Sequence, residues 1–198
     1  QISDTEVTLY AAPFQVTDRG QTLAGPLLTL IVSSPLPNII RVQTWHFMGS
    51  AKKEPVFELT DQKCSLNTQC SENEIVITSG DASLRITRFP FSMVWEYQGR
   101  RLTGLGDRQL GYLTTPDGAY MRAQLDVDVG EKIYGLGERF TPYVKNGQVV
   151  DIWNEDGGTA SEISYKNIPF YLTNRNYGVF VNSTGKVSYE LCSEAVSK

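Results

Sequence analysis

Glu155 and Asp156 stand side by side in the run Trp153-Asn154-Glu155-Asp156-Gly157-Gly158, which sets two carboxylates next to an indole. That combination suits a sugar: ionised carboxylates accept hydrogen bonds from hydroxyls, and an aromatic plane covers the apolar face of a sugar ring. The same residues also suit a solvated turn with an aromatic anchor. They do not suit a pair of carboxyl groups working on opposite sides of one glycosidic bond. Neighbours in an extended chain point to opposite sides of it, whereas such a pair must converge to about 5–5.5 Å or somewhat more.

Other site chemistries lack their parts. Gly135-Leu136-Gly137 begins like a dinucleotide fingerprint, but Phe140 stands where the third glycine belongs and Thr141-Pro142 follows where a helix should open, so no cofactor is expected. The alternative for these glycines is a backbone passing close to another strand, with Tyr134 and Phe140 packed and Glu138 paired to Arg139 or another basic side chain. His46, the single histidine, lies in Gln43-Thr44-Trp45-His46-Phe47 without a Cys or His at metal-ligand spacing, and no Gly-x-Ser-x-Gly elbow occurs. Metal and serine-triad chemistry are therefore not expected, and His46 reads as structural.

The elements that must position these residues show a period of two. Phe91, Met93, Trp95 and Tyr97 alternate with Ser92, Val94 and Glu96; Leu84 and Ile86 alternate with Ser83, Arg85 and Thr87; Leu125, Val127 and Val129 alternate with Asp126 and Asp128. Turn chemistry falls between such runs, at Ser79-Gly80-Asp81, Gln98-Gly99-Arg100, Pro116-Asp117-Gly118, Asn146-Gly147 and Ser183-Thr184-Gly185. Helical period is scarce. The pattern predicts an all-β fold, an antiparallel β-sandwich, with a polar surface loop over Thr60–Glu74. The acidic run is predicted to lie in a loop between a strand ending near Trp153 and another resuming at Ile168. Pro169 is expected at that second strand's start.

Composition narrows the partners. A chain of 198 residues is long enough for one large domain or two small ones, with 40% hydrophobic and 20% charged residues and no apolar run of the length that spans a bilayer. The net charge is −4 and the lysines and arginines are scattered, so neither nucleic acid nor membrane is an expected partner. Cys64 and Cys70 bracket a polar stretch and could close a small disulfide ring, while Cys192 leaves the count odd. Asn182-Ser183-Thr184 fits a glycosylation acceptor in an expected hairpin turn. The compartment, cytoplasmic or secreted, stays open. Gln1-Ile2-Ser3-Asp4-Thr5 shows neither an initiator methionine nor a signal-peptide pattern, and Tyr189–Lys198 breaks off in strand pattern with no closing turn. The expectation is a sandwich lacking its last strands, with an unpaired edge that the rest of its own polypeptide or a second copy would cover.

Three clusters in close order, Ile133-Tyr-Gly-Leu-Gly-Glu-Arg-Phe140, Trp153–Gly158 and Tyr165-Lys-Asn-Ile-Pro-Phe-Tyr-Leu172, resemble the N-terminal β-domain of glycoside hydrolase family 31, the retaining α-glycosidases. Tyr10-Ala-Ala-Pro13, Trp45-His-Phe47 and Ser193–Lys198 extend the resemblance along nearly the whole chain. Asn146-Gly-Gln148 and Asp156-Gly-Gly-Thr159 direct it to the α-xylosidase branch. The resemblance implies a galactose-mutarotase-like sandwich over residues 1–198, with the catalytic aspartates on a (β/α)8 barrel beyond it, since no motif like theirs occurs here. It also implies a substrate-binding role for Asp156 at the mouth of that barrel, with Trp153 and Glu155 beside it and an oligosaccharide as substrate. This chain alone is then expected to be inactive. The alternatives are a free-standing carbohydrate-binding or interaction module, or the front domain of an α-glucosidase.

Overall fold

The computed structural model describes residues 1–23, 25–47, 62–157 and 161–198, and it divides into two compact units, Gln1–Leu125 and Asp126–Lys198. Apart from one short 3-10 turn at Gly20–Leu23, the regular elements among the described residues are strands, all paired antiparallel. No helix among them is long and apolar enough to cross a membrane.

In the first unit, β1 (Glu6–Ala11), β2 (Leu28–Ser33) and β3 (Arg41–Trp45) form a three-stranded sheet. A five-stranded sheet follows in chain order: β4 (Asn67–Cys70), β5 (Glu74–Ser79), β6 (Ala82–Thr87), β7 (Ser92–Tyr97) and β8 (Arg100–Leu105). β9 (Leu110–Thr115) and β10 (Gly118–Ala123) make a separate ribbon, β10 being exposed along its length. The two larger sheets share one core. Val7, Leu28, Leu30 and Val32 from one meet Ile75, Ile77, Leu84, Ile86, Met93 and Leu105 from the other. This is the sandwich that the alternation predicts, because alternate residues of β2, β5 and β6 are removed from water. Each such side chain contributes about 1.5–3 kcal/mol on full burial.

The second unit is built from shorter, interleaved strands. β11 (Ile133–Gly137), β13 (Asn167–Thr173) and β14 (Gly178–Phe180) form one sheet in the order β11-β13-β14, and β12 (Gln148–Ile152) pairs with β15 (Val187–Leu191) in another. Their buried residues Ile133, Leu136, Val150, Ile152, Tyr171, Tyr189 and Leu191 gather with Val127 into one cluster.

Several expectations change. The polar stretch expected as loop contains β4, an edge strand without an apolar pattern, aligned by its register with β5. Its early part, through Asp61, lies outside the described residues. Leu125, Val127 and Val129 do not form a strand. The Glu131 carboxylate accepts from the Asp128 amide at 2.9 Å and the Glu131 amide donates to Asp128 O at 3.0 Å, which closes a turn with Val129 fully exposed. Ser183-Thr184-Gly185 does not close a hairpin, because β14 and β15 belong to different sheets. The last residues do fold into a closing turn: the Cys192 amide donates to Lys198 O, the Val127 amide to Ser197 O, and Lys198 pairs with Asp126. Pro169 is the third residue of β13, opposite the irregular part of β11, where the ladder asks no amide of it.

Candidate functional site: the acidic loop and its base

The Gly135-Leu136-Gly137 run is a β-bulge. All three residues take positive φ, 114°, 70° and 86°, and the register against β13 shifts between Gly135 and Gly137. A Cβ at Gly137 would lie 2.1 Å from Lys166 O and 2.9 Å from Ile168 N, so only glycine lets the strands approach this closely. Leu136 accepts the left-handed backbone because its side chain is completely buried, and the burial offsets a strain of about 1–3 kcal/mol. The bulge re-aims the chain after Gly137. The Glu138 amide then reaches Lys166 O at 3.0 Å, the Glu138 carboxylate pairs with Lys166 at 3.2 Å, and Arg139 turns beneath the acidic run.

Arg139 binds acceptors from four segments. Its Nε donates to Leu136 O at 3.2 Å, Nη1 to Glu162 O at 3.3 Å, and Nη2 to Asp151 O at 2.9 Å and to Asn167 Oδ1. Asn167 continues the network, its Nδ2 donating to Trp153 O at 2.9 Å, Asn154 Oδ1 at 2.9 Å and Ser164 O at 2.6 Å. Buried Ser164 donates its hydroxyl to Glu138 O at 2.7 Å and accepts the Glu155 amide on its carbonyl at 3.0 Å. Both limbs of the loop are thus tied down at Asn154 and Ser164, which form an isolated parallel bridge. Gly157 adds a close crossing, since a Cβ there would meet Ile163 O at 2.1 Å.

The charges around this base are unevenly matched. Burial pushes the Arg139 guanidinium below its ordinary pKa, with Asp151 acting in the opposite direction. Burial likewise lowers Lys145, helped by repulsion from Arg139; its ammonium is held by Thr141 Oγ1 at 3.0 Å and Pro142 O at 2.9 Å. Asp151 is held below the usual carboxylate range, first by its contact with Lys186 and then by Ser188.

Above the base the loop is open to solvent. Trp153 is 51% exposed, Tyr165 63% and Ile163 41%, and both Glu155 and Asp156 are exposed. Among the described residues, neither the Glu155 nor the Asp156 carboxylate has a hydrogen-bond or ion-pair partner. Two exposed carboxylates above a hydrogen-bonded base, with Trp153 and Tyr165 exposed nearby in the chain, are thus free to accept hydroxyls. Gly158 and Thr159 lie outside the described residues.

The remaining candidates stand apart from this loop. Cys64, Cys70 and Cys192 are free thiols. The expected Cys64–Cys70 ring is not formed: the Cys64 amide is tied to Ser34 O, and Cys70 ends the extended strand β4. Asn182 is exposed in the loop between β14 and β15. His46 follows β3 with its ring 4.3 Å from that of Tyr112. No cluster of three or more His, Cys, Asp or Glu side chains suited to a metal occurs among the described residues. The residues that sequence reasoning missed are Arg139, read only as a partner for Glu138, and Asn167. The signal for Asn167 was a polar side chain at the head of a strand, where it competes for local backbone groups.

The chain is 43% identical to an α-xylosidase of Emericella nidulans over 91% of its length, and 38% identical to the α-xylosidase XylQ of Lactiplantibacillus pentosus over 97%. It spans about a quarter of each of these curated relatives, 26% in both cases. Among solved structures, a family 31 dextranase from Flavobacterium johnsoniae matches with TM-score 0.72 at 17% identity, over 86% of this chain and 22% of that one. A family 31 α-xylosidase from a soil metagenome matches with TM-score 0.71 at 13% identity, over 98% of this chain and 29% of that one. These two likenesses concern the fold, and they agree with the antiparallel sandwich. The family profile described as the glycosyl hydrolase 31 N-terminal galactose mutarotase-like domain matches residues 29–190, a span that holds both the bulge and the acidic loop. With the sandwich, the bulge at Gly135–Gly137 and that match in place, the chain belongs to the family of glycosyl hydrolase 31 N-terminal domains.

Proposed function

We propose that residues 1–198 act as the non-catalytic front domain of a retaining α-glycosidase, an α-xylosidase acting on α-xylosides such as those of xyloglucan fragments. In this reading the acidic loop supplies sugar contacts to an active site whose catalytic carboxylates lie in the rest of the polypeptide. The observation that carries it is the 43% identity to an α-xylosidase about four times longer. The open, firmly based loop with Asp156, Glu155 and Trp153 supports it. The chemistry would be double displacement with retention, one carboxyl group attacking the anomeric carbon and the other first protonating the leaving oxygen and then deprotonating water. Asp156 accepts hydrogen bonds from sugar hydroxyls, Glu155 stands beside it, and Trp153 offers an apolar plane. The partners are the remaining polypeptide and the oligosaccharide.

The test compares Asp156→Ala with Glu155→Ala in the complete enzyme on one aryl α-xyloside. A hydrogen bond to a charged acceptor contributes roughly 1.5–3 kcal/mol, so Asp156→Ala should lower kcat/KM on the order of ten- to a hundredfold with little change in Tm. Wild-type kcat/KM in a well-folded Asp156→Ala enzyme would make the loop a bystander. The separate chain of 198 residues should show no turnover.

A further inference from the structure

The acidic loop is held by a side-chain network that the sugar reading does not account for. Among the described residues its two limbs meet at the bridge between Asn154 and Ser164 and at the close crossing of Gly157 and Ile163, and so few backbone contacts are too little to fix a loop. The backbone oxygens of Leu136, Asp151, Trp153, Glu162 and Ser164 instead accept from Arg139 and Asn167, and these two side chains bond to each other. A guanidinium directed at three carbonyls and an amide, with no carboxylate among those bonds, is placed for geometry rather than for ion pairing. Lysine cannot copy it, because a point charge on a flexible stem lacks the planar fork. Asn167 is similarly specific: its amide accepts from Arg139 through one atom and donates to three oxygens through the other, and aspartate would lose the donors.

We propose that Arg139 and Asn167 are positioning residues for the acidic loop, holding Trp153, Glu155 and Asp156 in the geometry in which they meet the sugar. The catalytic consequence rests on the functional reading above; the mechanical one does not. Misplacement by about 1 Å at a bound sugar is enough to cost roughly a hundredfold in rate, so the network acts through the loop without touching substrate.

The mechanical arm is hydrogen exchange resolved to short peptides in the purified protein, comparing wild type with Arg139→Lys and Asn167→Asp. The Glu155 and Glu138 amides, bonded to Ser164 O and Lys166 O, should exchange about tenfold faster or more in both variants, while amides of β5 and β6 stay as in wild type. If either variant fails to fold, Asn154→Ala removes a single acceptor of the network and should speed the same Glu155 amide. Unchanged protection at Glu155 in the folded variants overturns the proposal. The kinetic arm is a double-mutant cycle in the complete enzyme. Arg139→Lys alone should lower kcat/KM about tenfold, and Asp156→Ala should then cost markedly less in the Arg139→Lys background than in wild type. Full additivity, where Asp156→Ala alone has an effect, also overturns the proposal. An enzyme in which Asp156→Ala has no effect, while Arg139→Lys loosens the loop, removes the sugar reading and leaves the positioning role standing.

Discussion

In the first unit β4 to β8 lie in chain order, each beside its successor, and nearly every backbone group of the inner strands is used by a neighbouring strand. In the second, β11 pairs with β13 across β12, β12 pairs with β15 across β13 and β14, and the bulge at Gly135–Gly137 breaks the ladder. Buried backbone groups must find partners in either case. The meander supplies them mostly from itself, and at its end Ser79 O and the Asp81 amide take up Asn38 of a neighbouring loop. The interrupted sheet leaves carbonyls unmatched, and Arg139 and Asn167 take them up. A regular sheet is therefore the stable half of such a fold, and an irregular one is where a loop can be held in a chosen place.

The strongest way to test that contrast is in the first unit, where packing alone should set stability. Leu84 is fully buried in the shared core, so Leu84→Ala should cost about 3–4 kcal/mol in denaturant unfolding. A loss below ~1 kcal/mol would mean that the core does not carry the meander. The next largest effect belongs to the bulge. Gly137→Ala sets a Cβ 2.1 Å from Lys166 O at φ 86° and should cost about 2–3 kcal/mol, although it removes no contact. A neutral result would show that the bulge is dispensable and that the contrast fails there.

The smallest effect sharpens the comparison by pH. Asp151 is lowered by Lys186 and Ser188, so its folded pKa lies below its unfolded value. The stability it contributes is present above about pH 5 and is lost as pH falls through 3.8 toward the folded pKa. Its ion pair with Lys186, 2.7 Å long, has side chains 49% and 60% exposed, so solvent screening keeps the contribution under ~1 kcal/mol. Asp151→Asn should therefore be slightly less stable than wild type at pH 7, and the gap should narrow as pH falls below 3.8 toward the lowered folded pKa. A gap that widens in acid would contradict the assignment.

How legible each half was follows from the same difference. Leu84, Ile86 and Met93 announced the core of the meander because alternation is a local signal and each strand's partner is the next strand. The acidic run was legible as a loop between strands, since strand alternation stops near Trp153 and a polar, glycine-containing stretch broken only by isolated apolar residues follows until Ile168. β4 was not, as Asn67-Thr68-Gln69-Cys70 has no apolar side chain to alternate and exists as a strand only through β5. Val129 misled for the converse reason: the apolar period continued through a segment that Glu131 folds into a turn. Arg139 was hidden because its acceptors are mostly carbonyls, which every residue carries and no residue type reveals.

The interleaved pairing of β11 with β13 and β12 with β15 also has a consequence in time. During synthesis β6 finds β5 already made beside it, and the meander can close one hairpin after another as it leaves the ribosome. β12 has no such neighbour. Its partner, Val187–Leu191, follows only after the acidic loop, β13 and β14 have been made, a wait of seconds at roughly 5–20 residues per second. Throughout that interval β12 has no sheet partner, with Val150 and Ile152 still unburied between strands that will later cover them. The half of the chain that carries the acidic loop thus closes after the meander and is the more in need of protection while it is being born.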